Sequence, residues 1–311
     1  MLDNLQIILP VSLLVGAGFM AAKRGIFSSE QADAVMKFAQ TFAIPALLFT
    51  AVANLDLTAV FKPHLLLSFY AGNTFAFIAG TLIARHFFKR PSGAAVAVGF
   101  SGMFANSVLL GFPIIERAFG PEALQPVYAL VAIHAPYCYI VGITTMEIVR
   151  ADGQPFGKTA RRILKEIFSN SLTIGLLLGF AVNISGVALP TFVWSPIKMM
   201  VSAAIPTALF ALGGIMVRYK LADRIGETCV VLVLKLLVHP GIAYLLATQV
   251  FDMSIEFTRA AVMTGAMAPG INVYVFASMY DRAKGTAANA VLLGTAASIV
   301  SVSFWLFMLG S

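Results

Sequence analysis

Two stretches of this chain place glycine, proline and asparagine together inside otherwise apolar sequence. The first runs Gly99-Phe-Ser-Gly-Met-Phe-Ala-Asn-Ser-Val-Leu-Leu-Gly-Phe-Pro-Ile-Ile115 and holds Asn106, Ser107, Gly111 and Pro113. The second runs Thr264-Gly-Ala-Met-Ala-Pro-Gly-Ile-Asn-Val-Tyr-Val-Phe-Ala-Ser-Met-Tyr280 and holds Pro269, Gly270 and Asn272. Proline has no N–H to bond back one turn, and glycine does not hold a helix shut. A helix built from either stretch is expected to break and release amides and carbonyls. In lipid each unsatisfied group costs several kcal/mol, so irregular backbone survives only inside protein or beside a wet cavity. Freed amides and the positive ends of half-helices bind anions. The amides of Asn106 and Asn272, with the backbone near Ser107 and Gly270, are the expected donors. Interhelical hydrogen bonding is the plainer alternative for the asparagines.

Two ionisable residues lie near the same depth. Lys235 and His239 are four apart, hence on one helical face. They suit neutralising an anion or relaying a proton. Two quieter readings stand beside that one. Lys235 lies only about 12 Å along a helix from Glu227 and is within reach of the interface. His239 precedes Pro240 and is placed to bond a freed carbonyl. His134 is central too and reads as a packing residue. Glu116 and Asp281 fall at the ends of the two broken stretches, which leaves no central carboxylate for a sodium–proton antiporter.

Other chemistries lack their residues. No HExxH, GxSxG or Walker A pattern occurs, nor a pair of membrane aspartates, so neither catalytic residues nor a metal, a cofactor or ATP drive is expected. An intramembrane enzyme or a receptor is the alternative from another class, and neither requires paired breaks. Cys138 and Cys229 sit in apolar runs and read as buried small hydrophobes.

The elements that position these residues follow from composition. Apolar residues make up 59% of 311, charged residues 11%, and mean hydropathy is +0.88. A soluble domain carries about 25% charged residues. The expected solvent is lipid. Ten segments reach the length a span needs: 5–22, 34–53, 64–87, 94–115, 122–149, 169–187, 192–217, 227–250, 257–280 and 285–309. No removable signal peptide is evident, because the start lacks a basic region and the first apolar stretch ends in Lys23-Arg24 without a cleavage site. Net charge is +7, yet the basic residues sit in short loops and form no nucleic-acid stripe. Odd-numbered loops hold 16 Lys and Arg, even-numbered loops only Lys62, Arg117, Lys198 and Arg259. The positive-inside rule then places both termini outside a bacterial inner membrane and the odd loops in the cytoplasm.

The halves also echo each other. Ala43-Ile-Pro-Ala-Leu-Leu-Phe49 and Ala204-Ile-Pro-Thr-Ala-Leu-Phe210 agree at five of seven positions, with Pro45 and Pro206 as candidate hinges. Gly102-Met-Phe-Ala-Asn106 aligns with Gly265-Ala-Met-Ala-Pro269. Five spans per half is odd, so the second half enters the membrane the other way up. The expected organisation is a first repeat over 1–150, a cytoplasmic linker over 151–168 and an inverted second repeat over 169–311. The fold class is an all-α membrane protein, and the expected function is secondary transport of a small carboxylate.

On Asn106-Ser-Val-Leu-Leu-Gly-Phe-Pro113, Pro269-Gly-Ile-Asn-Val-Tyr-Val-Phe-Ala-Ser-Met-Tyr280, Leu293-Gly-Thr-Ala-Ala-Ser298 and Leu237-Val-His-Pro240, the chain resembles the auxin efflux carrier family, especially its bacterial organic-acid permeases. The resemblance covers nearly the whole chain and implies a malonate-like dicarboxylate as first substrate and an indole-type monocarboxylate as second. It implies a sodium–bile acid symporter-like fold with crossed, unwound fourth and ninth segments. It also implies a scaffold of segments 1, 2, 6 and 7, an elevator-like moving part of the other six, and a homodimer formed through the scaffold. The plant members carry a large hydrophilic loop between the halves, and here that loop is short.

Overall fold

The computed structural model describes residues 2–150, 170–219 and 224–310. The predicted linker 151–168, with Lys158, Arg161, Arg162 and Lys165, lies outside the described residues, as does Lys220. Each of the ten apolar segments carries helix. We number the helices α1 Leu2–Lys23, α2 Ser29–Ala53, α3 Pro63–His86, α4 Ser92–Met103, α5 Phe112–Phe119 and α6 Leu124–Arg150. The second half supplies α7 Ser171–Ser185, α8 Thr191–Met216, α9 Ile225–Val250, α10 Ile255–Ala266, α11 Asn272–Met279 and α12 Lys284–Met308.

Among the described residues, seven helices are long and apolar enough to cross a membrane. They belong to α1, α2, α3, the α6 segment, α8, α9 and α12. At 1.5 Å per residue, the 12 residues of α4 and the 15 of α7 reach only about 18 and 22 Å, against a hydrocarbon core of about 30 Å. A chain of this kind is a multi-pass helical membrane protein.

Local signals set the helix ends. Ser28 opens α2 with a reciprocal cap, its Oγ accepting from Gln31 N (3.2 Å) while its own N–H donates to Gln31 Oε1 (2.7 Å). Asn170 caps α7 through Leu172 N (2.9 Å), and α7 stops at Gly186, whose φ of +64° suits a residue without Cβ.

Prolines shape three helices from within. Wide, five-residue turns occupy Ala39–Ala43, Ser107–Gly111 and Leu234–Val238, ending just ahead of Pro45, Pro113 and Pro240. The missing N–H of each proline removes one bond to the carbonyl four residues back, and the helix loosens its register where that bond is lost. Behind Pro240 the freed carbonyl is that of Leu236, and it accepts the indole N–H of Trp305 from α12 (2.9 Å). Pro206, by contrast, lies within the unbroken helix α8, so the expected hinge there is not a helix break. One proline in a long helix does not by itself open it when the packing on either side holds.

The chain divides into two compact units. One comprises Met1–Ile8, Phe61–Ile163 and Tyr219–Ser311; the other comprises Leu9–Val60 and Leu164–Arg218. The second unit therefore holds α2, α7, α8 and most of α1. Its helices meet at small residues: a Cβ on Gly175 would stand 2.5 Å from the Pro45 carbonyl oxygen, and one on Gly179 would stand 2.8 Å from that of Phe49. Arg218 clasps Asp33 through both terminal nitrogens at 2.6 Å.

The first unit holds α3–α6 and α9–α12. Its core lies among α4, α6, α11 and α12, where the rings of Phe100 and Phe276 stack at 3.9 Å between Cys138, Ile143, Met146 and Val291. The backbones of α3 and α4 close together at Gly80 and Gly99, and a Cβ on Gly99 would stand 2.6 Å from Phe77 O. Cys138 is buried as expected, but Cys229 is exposed. Hydropathy along an apolar run does not tell which face turns outward, and a thiol on a lipid-facing side is as well solvated as one in a core.

Candidate functional site

Both glycine–proline stretches break the helix, and each break satisfies the other. Helix α4 stops at Met103, Phe104 turns extended (φ −79°, ψ 109°), and the chain resumes helical turns only at Ser107. Helix α10 stops at Ala266, Met267 turns extended (φ −66°, ψ 144°), and helix resumes at Asn272. The two extended pieces pair antiparallel through the bridge Ala105–Pro269. Asn106 N–H donates to Ala268 O (2.8 Å), and Gly270 N–H donates to Phe104 O (3.1 Å). Pro269 fits because the Ala105–Pro269 pair is the non-hydrogen-bonded one, so its missing N–H costs nothing. Gly294 lets α12 close on this point, since a Cβ there would meet Pro269 Cδ at 2.7 Å.

Side chains take up what the bridge leaves over. The last carbonyls of a helix have no intrahelical donor. Asn73 Nδ2, from α3, donates to Met103 O at the end of α4 (2.7 Å). Lys235 Nζ, from α9, donates to Gly265 O at the end of α10 (2.9 Å). Each half-helix thus ends on a donor from a neighbouring long helix, an amide in one case and an ammonium in the other. The ammonium also complements the negative end of the α10 dipole.

Lys235 does not run to the interface. It is fully buried, as is His239. Its Nζ also donates to His239 Nδ1 (3.0 Å), which leaves His239 Nε2–H to donate to Phe69 O (3.1 Å); the tautomer follows from these partners. Among the described residues no acidic side chain pairs with Lys235. The expected reach to the interface took Glu227 as a surface marker, and Glu227 is itself buried, 3.1 Å from Arg90 Nε in an ion pair off line for a hydrogen bond. Its other oxygen accepts from Thr286 Oγ1 (2.8 Å).

The remaining backbone amide of the first break, Ala105 N–H, donates to His134 Nε2 (3.0 Å) from α6. Ser107 Oγ and Thr264 Oγ1 are buried with no hydrogen-bond partner among the described residues. Ser107 opens its half-helix, where the first N–H groups have no carbonyl one turn back. The bridge amides of Ala105, Asn106 and Gly270 are all committed, so the donor expected at Gly270 is taken by Phe104 O; what remains is the start of the half-helix at Ser107, two uncommitted hydroxyls, Lys235 and the side chains of Asn106 and Asn272.

Of the residues singled out from the sequence, Asn106, Ser107, Pro269 and Gly270 meet in the crossing. Asn272 begins α11 and is half-buried; Gly111 and Pro113 close the wide turn that follows Asn106. Lys235 and His239 adjoin the second break through Gly265. Pro45 and Pro206 belong to the other unit. Sequence reasoning passed over Asn73 and gave His134 only a packing role. A signal for Asn73 existed: it stands as far ahead of Met103 in the chain as Lys235 stands ahead of Gly265.

Apolar helices interrupted at two mutually bonded breaks are an arrangement seen in membrane transport proteins. A family model described as "Membrane transport protein" matches residues 5–306. The chain belongs to this family, that of the auxin efflux carriers. It is 23% identical over 306 residues to a Rhizobium meliloti protein named "Putative malonate transporter", covering 98% of this chain and 95% of the relative. An uncharacterized transporter of Methanothermobacter thermautotrophicus is 26% identical over 317 residues, covering 98% of each. Auxin efflux carrier component 8 of Arabidopsis thaliana is 25% identical over 154 residues, covering 47% of this chain and 41% of the relative. These names are of transporters and not of enzymes.

Proposed function

We propose that the chain is a secondary carrier of small organic anions, with malonate-like dicarboxylates as its substrate class. The observation that carries this reading is the buried crossing of 104–106 with 268–270, bordered by the uncommitted hydroxyls of Ser107 and Thr264 and by Lys235, a buried lysine without an acidic partner among the described residues. An anion supplies the missing charge. The R. meliloti relative's name favours malonate over the alternative, an indole-type acid.

The reading includes ten spans in two inverted repeats. Support comes from the correspondence of contacts. The bond from Asn73 to Met103 recurs as that from Lys235 to Gly265, with donor and acceptor displaced along the chain by the same amount. The two bridge bonds exchange partners at nearly the same displacement. The reading also includes an elevator-type movement, in which α3–α6 and α9–α12 carry the site past a scaffold of α1, α2, α7 and α8. The division of the chain into two units along that line supports it. The homodimer formed through the scaffold follows from the family resemblance alone.

Purified protein in liposomes is expected to take up labelled malonate saturably, with excess unlabelled malonate competing and an indole acid competing less. Uptake indistinguishable from empty liposomes for every carboxylate tried would refute the reading. The charge bias of the loops further puts both termini outside an inner membrane and residues 150–168 in the cytoplasm. A single cysteine introduced at 153–158, in a variant lacking the exposed Cys229, should resist an impermeant thiol reagent in intact cells and react after permeabilisation. Labelling of intact cells would invert the topology.

A further inference from the structure

His134 has a place in the crossing that packing alone does not require. Its Nε2 accepts the Ala105 N–H at 3.0 Å, so that nitrogen carries no proton, and the neutral ring holds its proton on Nδ1. Cys138 Sγ lies 3.7 Å from Nδ1, one turn along the same helix. The ring is buried, with Phe69 at 5.5 Å, Phe104 at 5.1 Å and Tyr70 at 6.4 Å between centroids.

This geometry admits only the neutral ring. An imidazolium bears N–H at both nitrogens, and its Nε2–H would point at the Ala105 N–H, donor against donor. An acceptor placed between them resolves the conflict, and a carboxylate oxygen accepts from both. Several ionisable groups surround the ring. Tyr70 faces it from α3, Cys138 from α6 itself, and Lys235 and His239 act on it from α9, while residues 104–106 carry no ionisable side chain. With Lys235 cationic, a charged His134 sets two like charges in one dry region, and an anion between them relieves both.

We propose that His134 is a proton-binding site of the carrier, loaded together with the carboxylate at the crossing. The ring takes up a proton at Nε2, the Ala105 N–H passes from the ring to the substrate oxygen, and both donors then hold the anion. Proton and anion each strengthen the binding of the other by the same factor. Transport is in this way proton–anion symport. The inference rests on the crossing being the anion site.

Calorimetric titration of the full-length protein in detergent with malonate, between pH 7 and 9 where the probe is doubly ionised, tests it. Repeating the titration in buffers of different ionisation heat counts protons taken up. The parent should take up protons with malonate, up to one per anion, and its affinity should fall as pH rises, by up to about tenfold per unit and levelling off above the pH at which the bound ring itself loses its proton. His134→Gln keeps an acceptor for Ala105 N–H but takes no proton, so it should bind malonate with no uptake and a flat profile. Binding by the parent without uptake, or uptake that persists in His134→Gln, overturns the inference and leaves the anion site standing. No binding of malonate by the parent overturns both. Nitrogen-15 NMR of the histidines needs no variant at 134: one buried imidazole should become imidazolium when malonate binds, and the absence of any such change counts against the proposal.

Discussion

Replacing Lys235 by methionine should reduce malonate binding about a hundredfold and abolish uptake, while the protein still folds. Methionine nearly matches the volume of the lysine stem, so the packing of α9 is kept. What disappears is the positive charge beside the second break and the donor to Gly265 O and His239 Nδ1. A hydrogen bond to a charged group contributes about 1.5–3 kcal/mol. Loss of the charge that faces the anion corresponds to the upper end of that range, and a tenfold change in affinity corresponds to about 1.4 kcal/mol. His239 loses one neighbour but keeps Phe69 O. Thermal unfolding with and without malonate separates the two roles. The apo protein should melt within a few degrees of the parent, and the shift on adding malonate should vanish. Normal uptake by Lys235→Met would reduce the lysine to a cap on Gly265.

Truncating Asn106 or Asn272 to alanine should weaken malonate binding about tenfold each. The bridge uses only main-chain atoms of Asn106, so the crossing survives loss of its side chain. Each amide is expected to give one hydrogen bond to a carboxylate, which at about 1.5 kcal/mol is a factor of ten or slightly more. Ser107 Oγ and Lys235 remain, which is why neither change should be total. Affinities from the same calorimetric titration measure the effect. If both variants bind malonate as tightly as the parent, the asparagines are not donors to the anion, and the contacts lie with the backbone and Lys235.

Much of this architecture was legible before any coordinates. The apolar segments are long against their loops, so hydropathy located the helices within a few residues at most ends. The breaks announced themselves because Gly, Pro and Asn are costly in a lipid-facing helix and were clustered in two places. The partners of those breaks were not legible. Asn73 looks like any polar residue on a membrane helix until Met103 O is seen 2.7 Å away. His134 looks like packing until its Nε2 is found under the amide of Ala105, far back along the chain. Such pairings depend on how α3, α6 and α9 stand beside the breaks, and helical periodicity carries no information on that. The burial of Lys235 failed to show for the same reason: distance along a helix is not depth when the marker residue, Glu227, is drawn into the protein by Arg90 and Thr286.

The mutual pairing of the two breaks also bears on how the protein is made. Residues 104–106 leave the ribosome long before 268–270, with half the chain still to be synthesised between them. Until the second stretch arrives, Phe104 O and Asn106 N–H have no strand to bond, and hydrocarbon offers no substitute. These two bridge bonds therefore cannot form until the second half has been synthesised. Ordinary helical hairpins complete their hydrogen bonds span by span during translation. Here one tertiary pairing joins the two stretches and completes the backbone of both at once.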